Sequence, residues 1–201
     1  MVGTNVPARP RGSERRAAIL RATLELIGEK GTDAVTHRAV AERAGVPLSA
    51  TTYYFASRED LLDQTLLDAA REEIEWIERL VLELVARDLT VAEWAEEVAG
   101  ALAREAARDP ARQVALYELG LEAARRPALR ADLDRWQVAQ LRLAQMGARA
   151  AGSDDPWADA PVVLATLTGL MFAQAANPRP DFEEAILRPV LGRLFSRLAP
   201  P

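Results

Sequence analysis

Residues 36–55, THRAVAERAGVPLSATTYYF, read as two short helices joined by one tight turn, and this stretch decides the fold. Thr36 is a hydroxyl residue suited to cap the first helix. Gly45 stands where a helix ends by entering the left-handed backbone region, which glycine reaches at little cost. Pro47 suits the start of the second helix, because its missing N–H needs no partner there. The spacing predicts a helix–turn–helix, whose second helix typically enters the major groove of DNA.

The charge of the chain is divided in a way that favours this interpretation. Residues 1–58 carry a formal charge of +4 and residues 59–201 carry −9, within a net charge of −5. This asymmetry indicates that only the N-terminal end meets DNA, while the acidic remainder discourages non-specific coating of the duplex. The turn alone does not decide the matter, because similar helix pairs occur in proteins that bind no nucleic acid.

Composition limits the chemistry that the chain can carry. The chain has 201 residues, 49% hydrophobic and 27% charged, which is typical of a soluble globular protein. It has no cysteine and a single histidine, His37, so we expect no disulfide, thiol nucleophile, metal site or catalytic residue, and no cofactor. His37 is better explained as a surface or phosphate-side residue than as a metal ligand. The N-terminus lacks an apolar signal core, which predicts a cytoplasmic protein.

Hydrophobic periodicity predicts an all-α chain of about nine helices. A first helix from the Ser13 cap to about residue 30 and the two helices of the turn form a small N-terminal domain. A long helix then runs from the Ser57 cap to about residue 86. Five more helices follow to about residue 198, and Pro189 should kink the last of them.

With its flanks, the helix–turn–helix resembles the N-terminal domain of the TetR family of transcriptional regulators. The resemblance covers roughly the first third of the chain, and its motifs fall in the family's order and spacing. The remaining two thirds resemble the family only in length and helical character. The matching segments are RRAAILRATLELIGEKG (residues 15–31), Thr-x-Arg (36–38), Ala44-Gly45-Val46, Tyr54-Phe55 and Ser57-Arg58-Glu59-Asp60-Leu61-Leu62.

Three positions depart from the family pattern. Ser49 stands where the family usually has glycine, Thr51-Thr52 where it has Leu-Tyr, and Arg58 where it has lysine. The missing tyrosine at position 52 commonly contacts a phosphate, so that contact is shorter here or absent. These departures leave the operator sequence open.

The resemblance implies three segments: a flexible basic tail over residues 1–12, a helix–turn–helix domain over 13–57, and a helical ligand-binding and dimerisation domain over 58–201. On the second helix of the motif, we expect Ser49, Thr51 and Tyr53 to read bases and Leu48 or Ala50 to contact a thymine methyl. Thr51 is alternatively a packing residue. We expect Thr36, Thr52, Tyr54 and Arg58 to contact phosphates. The full set of predicted DNA-binding residues is Thr36, His37, Arg38, Pro47, Leu48, Ser49, Ala50, Thr51, Thr52, Tyr53, Tyr54 and Arg58.

Residues 160–178 contain no charged residue, which indicates a helix buried on nearly all sides. A membrane span is disfavoured because polar residues dilute the stretch, prolines bound it, and no basic cluster flanks it. In TetR-like proteins the last two helices pair with those of a second subunit, so we expect a homodimer and a pseudo-palindromic operator. The predicted interface residues are Leu164, Leu167, Leu170, Met171, Ile186, Val190 and Leu194.

Large side chains in the second domain are compatible with a small-molecule pocket, although core packing is the simpler explanation for each. The candidates are Trp76, Trp94, Tyr117, Trp136, Met146 and Phe172. The resulting hypothesis is a repressor that a small-molecule effector releases from double-stranded operator DNA. The alternatives are a helical interaction module that no longer binds DNA, or an enzyme using a carboxylate pair.

Overall fold

The computed structural model describes residues 11–126 and 129–198, and in these ranges it contains nine α-helices and no strand. The predicted all-α class is therefore confirmed. The helices are α1 (Arg11–Lys30), α2 (His37–Ala44), α3 (Leu48–Tyr54), α4 (Arg58–Val85), α5 (Val91–Arg108), α6 (Pro110–Ala123), α7 (Arg130–Ala150), α8 (Pro156–Ala176) and α9 (Arg188–Leu198). Residues 1–10 of the predicted basic tail lie outside the described residues, and residues 11–12 belong to α1.

The turn between α2 and α3 forms as the sequence predicts. The Thr36 hydroxyl accepts a hydrogen bond from the backbone N–H of Ala39 at 3.1 Å, which caps α2. Gly45 ends α2 with φ 65° and ψ 32°, in the left-handed region that favours glycine. Pro47 immediately precedes α3 as its cap residue. The local signals at Thr36 and Gly45 are strong because each one satisfies a helix end that would otherwise lack hydrogen-bond partners.

An ion-pair cluster holds the helix–turn–helix against α1. Arg43, near the end of α2, binds Glu29 at 2.6 Å and Glu25 at 3.3 Å, both of them on α1. The hydrogen bond from Arg43 holds the pKa of the Glu29 carboxyl below its ordinary value. Two carboxylates therefore neutralise this arginine, and α2 is fixed to α1 through it.

The apolar core of the DNA-binding helices continues past residue 57, the predicted domain boundary. Its cluster of buried side chains includes Leu61 and Leu66 of α4 and continues into α6 through Leu116 and Leu119. The close approach of α1 and α6 explains this continuity, because a Cβ added at Gly28 would lie 2.0 Å from the backbone oxygen of Ala111. The two predicted domains therefore share a core through α4 and α6.

A second apolar core joins α4 and α5 to α7, α8 and α9. Trp94 of α5 and Phe195 of α9 meet edge to face with ring centroids 5.7 Å apart. They enclose Gly147 of α7, where an added Cβ would lie 2.9 Å from the Trp94 ring. This packing fixes the C-terminal helix against the centre of the domain.

The predicted kink at Pro189 takes the form of a π-helical turn, Glu183–Leu187, which leads directly into α9. Proline has no N–H to donate to the carbonyl four residues earlier, so a regular α-helix cannot continue unchanged through this position. A wider turn just before the proline accommodates the missing bond.

Helix α8 is the one helix among the described residues that is long and apolar enough to cross a membrane by length and composition. Apolar helices of soluble proteins meet the same criterion. One face of α8 packs into the second core through Ala160 and Val163, and its remaining apolar surface is largely exposed on the single chain.

Two glycine substitutions test the close contact of α1 and α6. Gly28→Ala should lower the free energy of unfolding by about 1–3 kcal/mol, because the added methyl forces the two backbones apart. Gly120→Ala on α6 has open space around the new methyl and should raise stability by about 0.5–1 kcal/mol through helix propensity. Urea unfolding of both variants measures the difference, and equal effects would contradict the tight contact.

Candidate nucleic-acid interface and effector cavity

Helix α3 presents one exposed face and one buried face. Tyr53 is 81% exposed and Leu48 is 45% exposed, and Ser49 and Thr52 lie beside them on the outward side. The spacing of four residues between Leu48 and Thr52, and between Ser49 and Tyr53, places them on the same face of the helix. This face is exposed to solvent and is the part of α3 that a DNA groove can reach.

Thr51 lies on the buried face of α3, away from the other predicted base-reading residues. Its side chain is completely buried, and its hydroxyl donates a hydrogen bond to the backbone oxygen of Leu48 at 2.8 Å. Thr51 therefore packs α3 against the domain, which agrees with the alternative role predicted for it. The position follows from its place on the opposite face of the helix from Ser49 and Tyr53.

Arg58 also has a structural role that the sequence did not predict. Its guanidinium donates to the backbone oxygen of Thr32 at 2.6 Å and to that of Val35 at 3.0 Å, and lies 3.8 Å from the Asp33 carboxylate. The side chain thus anchors the turn of 3-10 helix (Thr32–Ala34) to the start of α4. Its Nε and Nη2 atoms donate to the protein backbone while the side chain stays 35% exposed, so the phosphate contact expected of Arg58 stays a prediction.

The other predicted DNA-binding residues divide by exposure. Ala50 and Tyr54 are half-buried, and Tyr54 lies edge to face with Tyr53, with ring centroids 5.0 Å apart. His37 is half-buried, and its Nδ1 lacks a hydrogen-bond partner among the described residues. The exposed members of the set are Thr36, Arg38, Pro47, Leu48, Ser49, Thr52 and Tyr53.

A cavity of about 280 Å³ lies between α4, α5, α6, α7 and α8. Trp76, Tyr117 and Trp136 line it, together with apolar side chains such as Leu167 and Met171. This combination of aromatic and aliphatic walls with a few polar groups is typical of small-molecule sites. Three of the six predicted pocket residues are therefore brought together.

The other three pocket candidates lie elsewhere. Trp94 packs on Phe195 in the second core, and Met146 is a half-buried residue packed against the same core. Phe172 is 54% exposed on α8, where its ring meets that of Tyr117 edge to face at 5.2 Å. Bulk and aromaticity alone could not separate the cavity wall from the core or from the outer surface.

Sequence reasoning missed the polar groups of the cavity, above all Glu73. Burial raises the pKa of the Glu73 carboxyl, while Arg112 opposes that rise. Burial also raises the pKa of the Tyr117 hydroxyl to about 12, and Glu73 adds to this effect. A signal was present, because Glu73 lies four residues from both Ala69 and Ile77 on the buried stripe of α4.

The predicted dimer residues are not all on the surface. Leu167 and Met171 are buried within the chain and line the cavity, so their assignment to an interface with a second subunit is corrected. Among the described residues, Leu164, Leu170, Ile186, Val190 and Leu194 are half-buried. The exposed stripe of α8 lies on a different face of the helix from Leu167 and Met171. It contains Val162, Ala165, Gly169, Phe172 and Ala176.

Comparison with known proteins agrees with this architecture. Residues 19–65 match the family described as "Bacterial regulatory proteins, tetR family", and residues 89–197 match "Tetracyclin repressor-like, C-terminal domain". The chain belongs to the TetR family. It is a DNA-binding transcriptional regulator with a C-terminal ligand-binding domain. Members of this family bind DNA and small molecules as dimers.

Individual relatives extend the comparison. The multidrug binding protein EbrR, solved with imidazole, is 32% identical over 96% of this chain and 98% of its own, with a TM-score of 0.63. A TetR-family member from Streptomyces coelicolor A3 is 33% identical over 90% of this chain and 98% of its own, with a TM-score of 0.66. The regulator BetI of Rhizobium meliloti (strain 1021) is 44% identical over 52 residues, about a quarter (26%) of each chain.

The contacts of Arg58 predict that its substitution lowers the stability of the protein without changing the salt dependence of DNA binding. Arg58→Gln should lower the free energy of unfolding by about 1–3 kcal/mol, because two backbone oxygens lose a charged donor. It should leave the salt dependence of DNA binding unchanged. Arg38→Gln, at an exposed arginine of α2, should retain stability and reduce the salt slope by about 0.9 if Arg38 contacts one phosphate. Urea unfolding and salt-titrated binding measure both, and a reduced slope in Arg58→Gln would restore the phosphate role.

Proposed function

We propose that this regulator is a homodimeric repressor that binds a pseudo-palindromic operator and is released by a small molecule bound in the cavity. The observation that carries the proposal is the arrangement of α4 and α6, which line the cavity and also belong to the apolar cluster of the DNA-binding helices. A molecule in the cavity therefore contacts two helices that share an apolar core with the helix–turn–helix, while the recognition helix itself packs on α1 and α2. A protein of this kind acts in the cytoplasm, where bacterial operator DNA is located.

The exposed face of α3 supports a role in reading the operator. Ser49 and Thr52 offer hydroxyl groups that can donate to or accept from base edges, and Leu48 suits a thymine methyl. Tyr53 projects farthest into solvent and has the longest reach of the four. At the start of α2, Thr36 and Arg38 are exposed beside backbone N–H groups, which suits contact with a phosphate.

The apolar stripe of α8 supports dimerisation. Val162 and Phe172 are 53% and 54% exposed, respectively, and Ala165 and Gly169 between them allow a partner helix to approach closely. An apolar surface of this extent on one helix is typical of a protein interface. A two-fold dimer would present two α3 helices to successive turns of the major groove.

EbrR, a neighbour by both sequence and structure, is described as a multidrug binding protein and has been solved with ethidium and with proflavin. This supports a small-molecule effector for the present chain as well. A ligand that prefers one arrangement of α4 and α6 would shift the dimer away from the DNA-binding form by its difference in affinity for the two forms.

The dimer surface predicts the effect of a single charge. Phe172→Glu should convert the dimer to monomer and weaken operator binding, because a carboxylate on the apolar stripe loses its hydration in the interface. Leu82→Glu is the matched control, since Leu82 of α4 is 69% exposed and lies outside the stripe. Light scattering coupled to chromatography measures the mass, and an unchanged dimer for Phe172→Glu would place the interface elsewhere.

DNA binding is tested by anisotropy with fragments that flank the protein's own gene, titrated with salt. Tyr53→Ala should weaken binding to the best fragment by about 1–3 kcal/mol and leave thermal stability unchanged, because the Tyr53 side chain is 81% exposed. Leu82→Ala controls for the loss of an exposed apolar side chain. Affinity that is independent of salt would favour the alternative, a helical interaction module, because phosphate contacts make DNA binding depend on salt.

A further inference from the structure

One hydrogen bond joins α6 directly to the turn that precedes the helix–turn–helix. The carboxylate of Glu118 on α6 accepts from the backbone N–H of Thr32 at 3.1 Å. Thr32 opens the 3-10 turn (Thr32–Ala34) that leads from α1 to the cap of α2. In the part of the chain that the structure describes, no other hydrogen bond or ion pair joins α6 to residues 14–57.

The 3-10 turn is closed by its own backbone hydrogen bonds and is held from the other side by α4. The oxygen of Thr32 accepts from the Val35 N–H at 3.1 Å and from Arg58 Nη2 at 2.6 Å. The Ala34 N–H donates to the oxygen of Gly31 at 3.2 Å. A displacement of Thr32 would therefore carry the whole turn, and with it the cap of α2.

The N–H of Thr32 is a donor that the local backbone leaves free. The first N–H groups of a helical turn have no partner within the turn and need one from elsewhere. Gly31, with φ 79°, lies in a region that residues with a side chain rarely adopt, and it brings Thr32 beside Glu118. A Cβ added at Gly31 would lie 3.6 Å from an oxygen of Glu118. The carboxylate of Glu118 supplies the partner that the turn lacks.

Helix α6 lies between the cavity and this turn. Gln113 and Tyr117 of α6 line the cavity, and Glu118 directly follows Tyr117. Consecutive residues of an α-helix are about 100° apart around its axis, so one side of α6 meets the cavity while a neighbouring side reaches the turn. A shift of α6 caused by an occupant of the cavity therefore changes the position of the Glu118 carboxylate.

The close contact at Gly28 makes the first turn of α6 a natural pivot. The backbone of Ala111 lies against Gly28 there with no room for a methyl group. Ala111 and Glu118 are about 10 Å apart along the helix axis, at 1.5 Å per residue. A tilt of about 5° around Ala111 would move Glu118 by roughly 1 Å, which is enough to break a single hydrogen bond. A small movement of α6 is thus sufficient to release the turn.

We propose that Glu118 is the positioning residue through which the cavity acts on the helix–turn–helix. With the cavity empty, the bond from Thr32 to Glu118 holds the turn against α6. An occupant that displaces Gln113 or Tyr117 tilts α6 and breaks this bond, and the turn with α2 and α3 then moves relative to the second domain. This role rests on the proposed function, in which occupation of the cavity weakens operator binding.

A substitution that fills the cavity replaces the unidentified effector in the test. Gln140 of α7 is half-buried and lines the cavity, so Gln140→Trp places an indole ring there. Amide hydrogen exchange of the full chain, measured by NMR, should be at least about tenfold faster for Thr32 in this variant than in the wild type. Exchange of Ala34, whose bond lies within the turn, should stay unchanged. Equal exchange of Thr32 in the two proteins would overturn the role of Glu118.

The position of the helix–turn–helix is measured as a distance between two spin labels. The chain has no cysteine, so Glu42→Cys on α2 and Arg193→Cys on α9, both at exposed positions, give one labelled pair. Excess unlabelled protein restricts the signal to distances within one chain. Glu118→Ala should reproduce the change in distance that Gln140→Trp causes, and the two substitutions together should add nothing. Additive changes would show that Glu118 acts independently of the cavity.

Two further variants separate the hydrogen bond from the charge. Glu118→Gln keeps an oxygen that accepts from the Thr32 N–H and should retain the wild-type distance. Glu75→Ala removes a carboxylate from an exposed position of α4 and should retain it as well. A distance in Glu118→Gln that matches Glu118→Ala would contradict the hydrogen bond as the cause. If Glu118→Ala does not fold, the exchange of Thr32 in Gln140→Trp decides the matter.

Operator binding of the same unlabelled proteins separates this inference from the proposed function. Gln140→Trp and Glu118→Ala should each weaken operator binding by about tenfold, and the double variant should bind no more weakly than either one. Factors that multiply to about a hundredfold would overturn the role of Glu118 while the proposed function stands. A wild-type chain that binds no fragment would overturn the proposed function, and the exchange and distance measurements would still judge Glu118.

Discussion

The close contact between α1 and α6 is the constraint on which the rest of the structure depends. At Gly28 the two helices approach so closely that a methyl group would overlap the backbone oxygen of Ala111. This approach lets Leu116 and Leu119 of α6 complete the core beneath the helix–turn–helix. Helices α4 and α6 therefore pack against α1, which with α2 supports the recognition helix, and a small DNA-binding domain gains the apolar burial that it could not supply alone.

Arg112 stands at the junction between this shared core and the cavity. Its guanidinium binds the first half of α4 and lies 3.9 Å from Glu73, which faces the cavity. Its carboxylate neighbours are Glu72 and Glu73. Removing them would leave a buried cation without compensation, so the position of Arg112 is sensitive to a change at either one. A ligand that moves the Glu73 carboxylate would act on Arg112, the residue that holds α6 to α4.

Features set by neighbouring residues could be predicted from the sequence, and features set by long-range contacts could not. The caps at Thr36 and Ser57 and the glycine at position 45 appear as expected, because each depends on residues only a few positions away. The role of Arg58 could not be predicted, since its partners lie more than twenty residues earlier in the chain. For α8, the apolar composition was clear but gave no periodic pattern from which to separate the buried face from the exposed stripe.

The exposed stripe of α8 is physically connected to the cavity. Tyr117 lines the cavity, and its ring meets that of Phe172 on the stripe at 5.2 Å. Val163 and Leu167 of the same helix face inward, so α8 contributes one face to the interior and leaves the other exposed. Under the proposed function, an occupant of the cavity that moves Tyr117 would alter both the packing of α6 on α1, beneath the helix–turn–helix, and the packing of two subunits on the stripe. Both effects would change the separation of the recognition helices, which would let a single cavity control DNA binding.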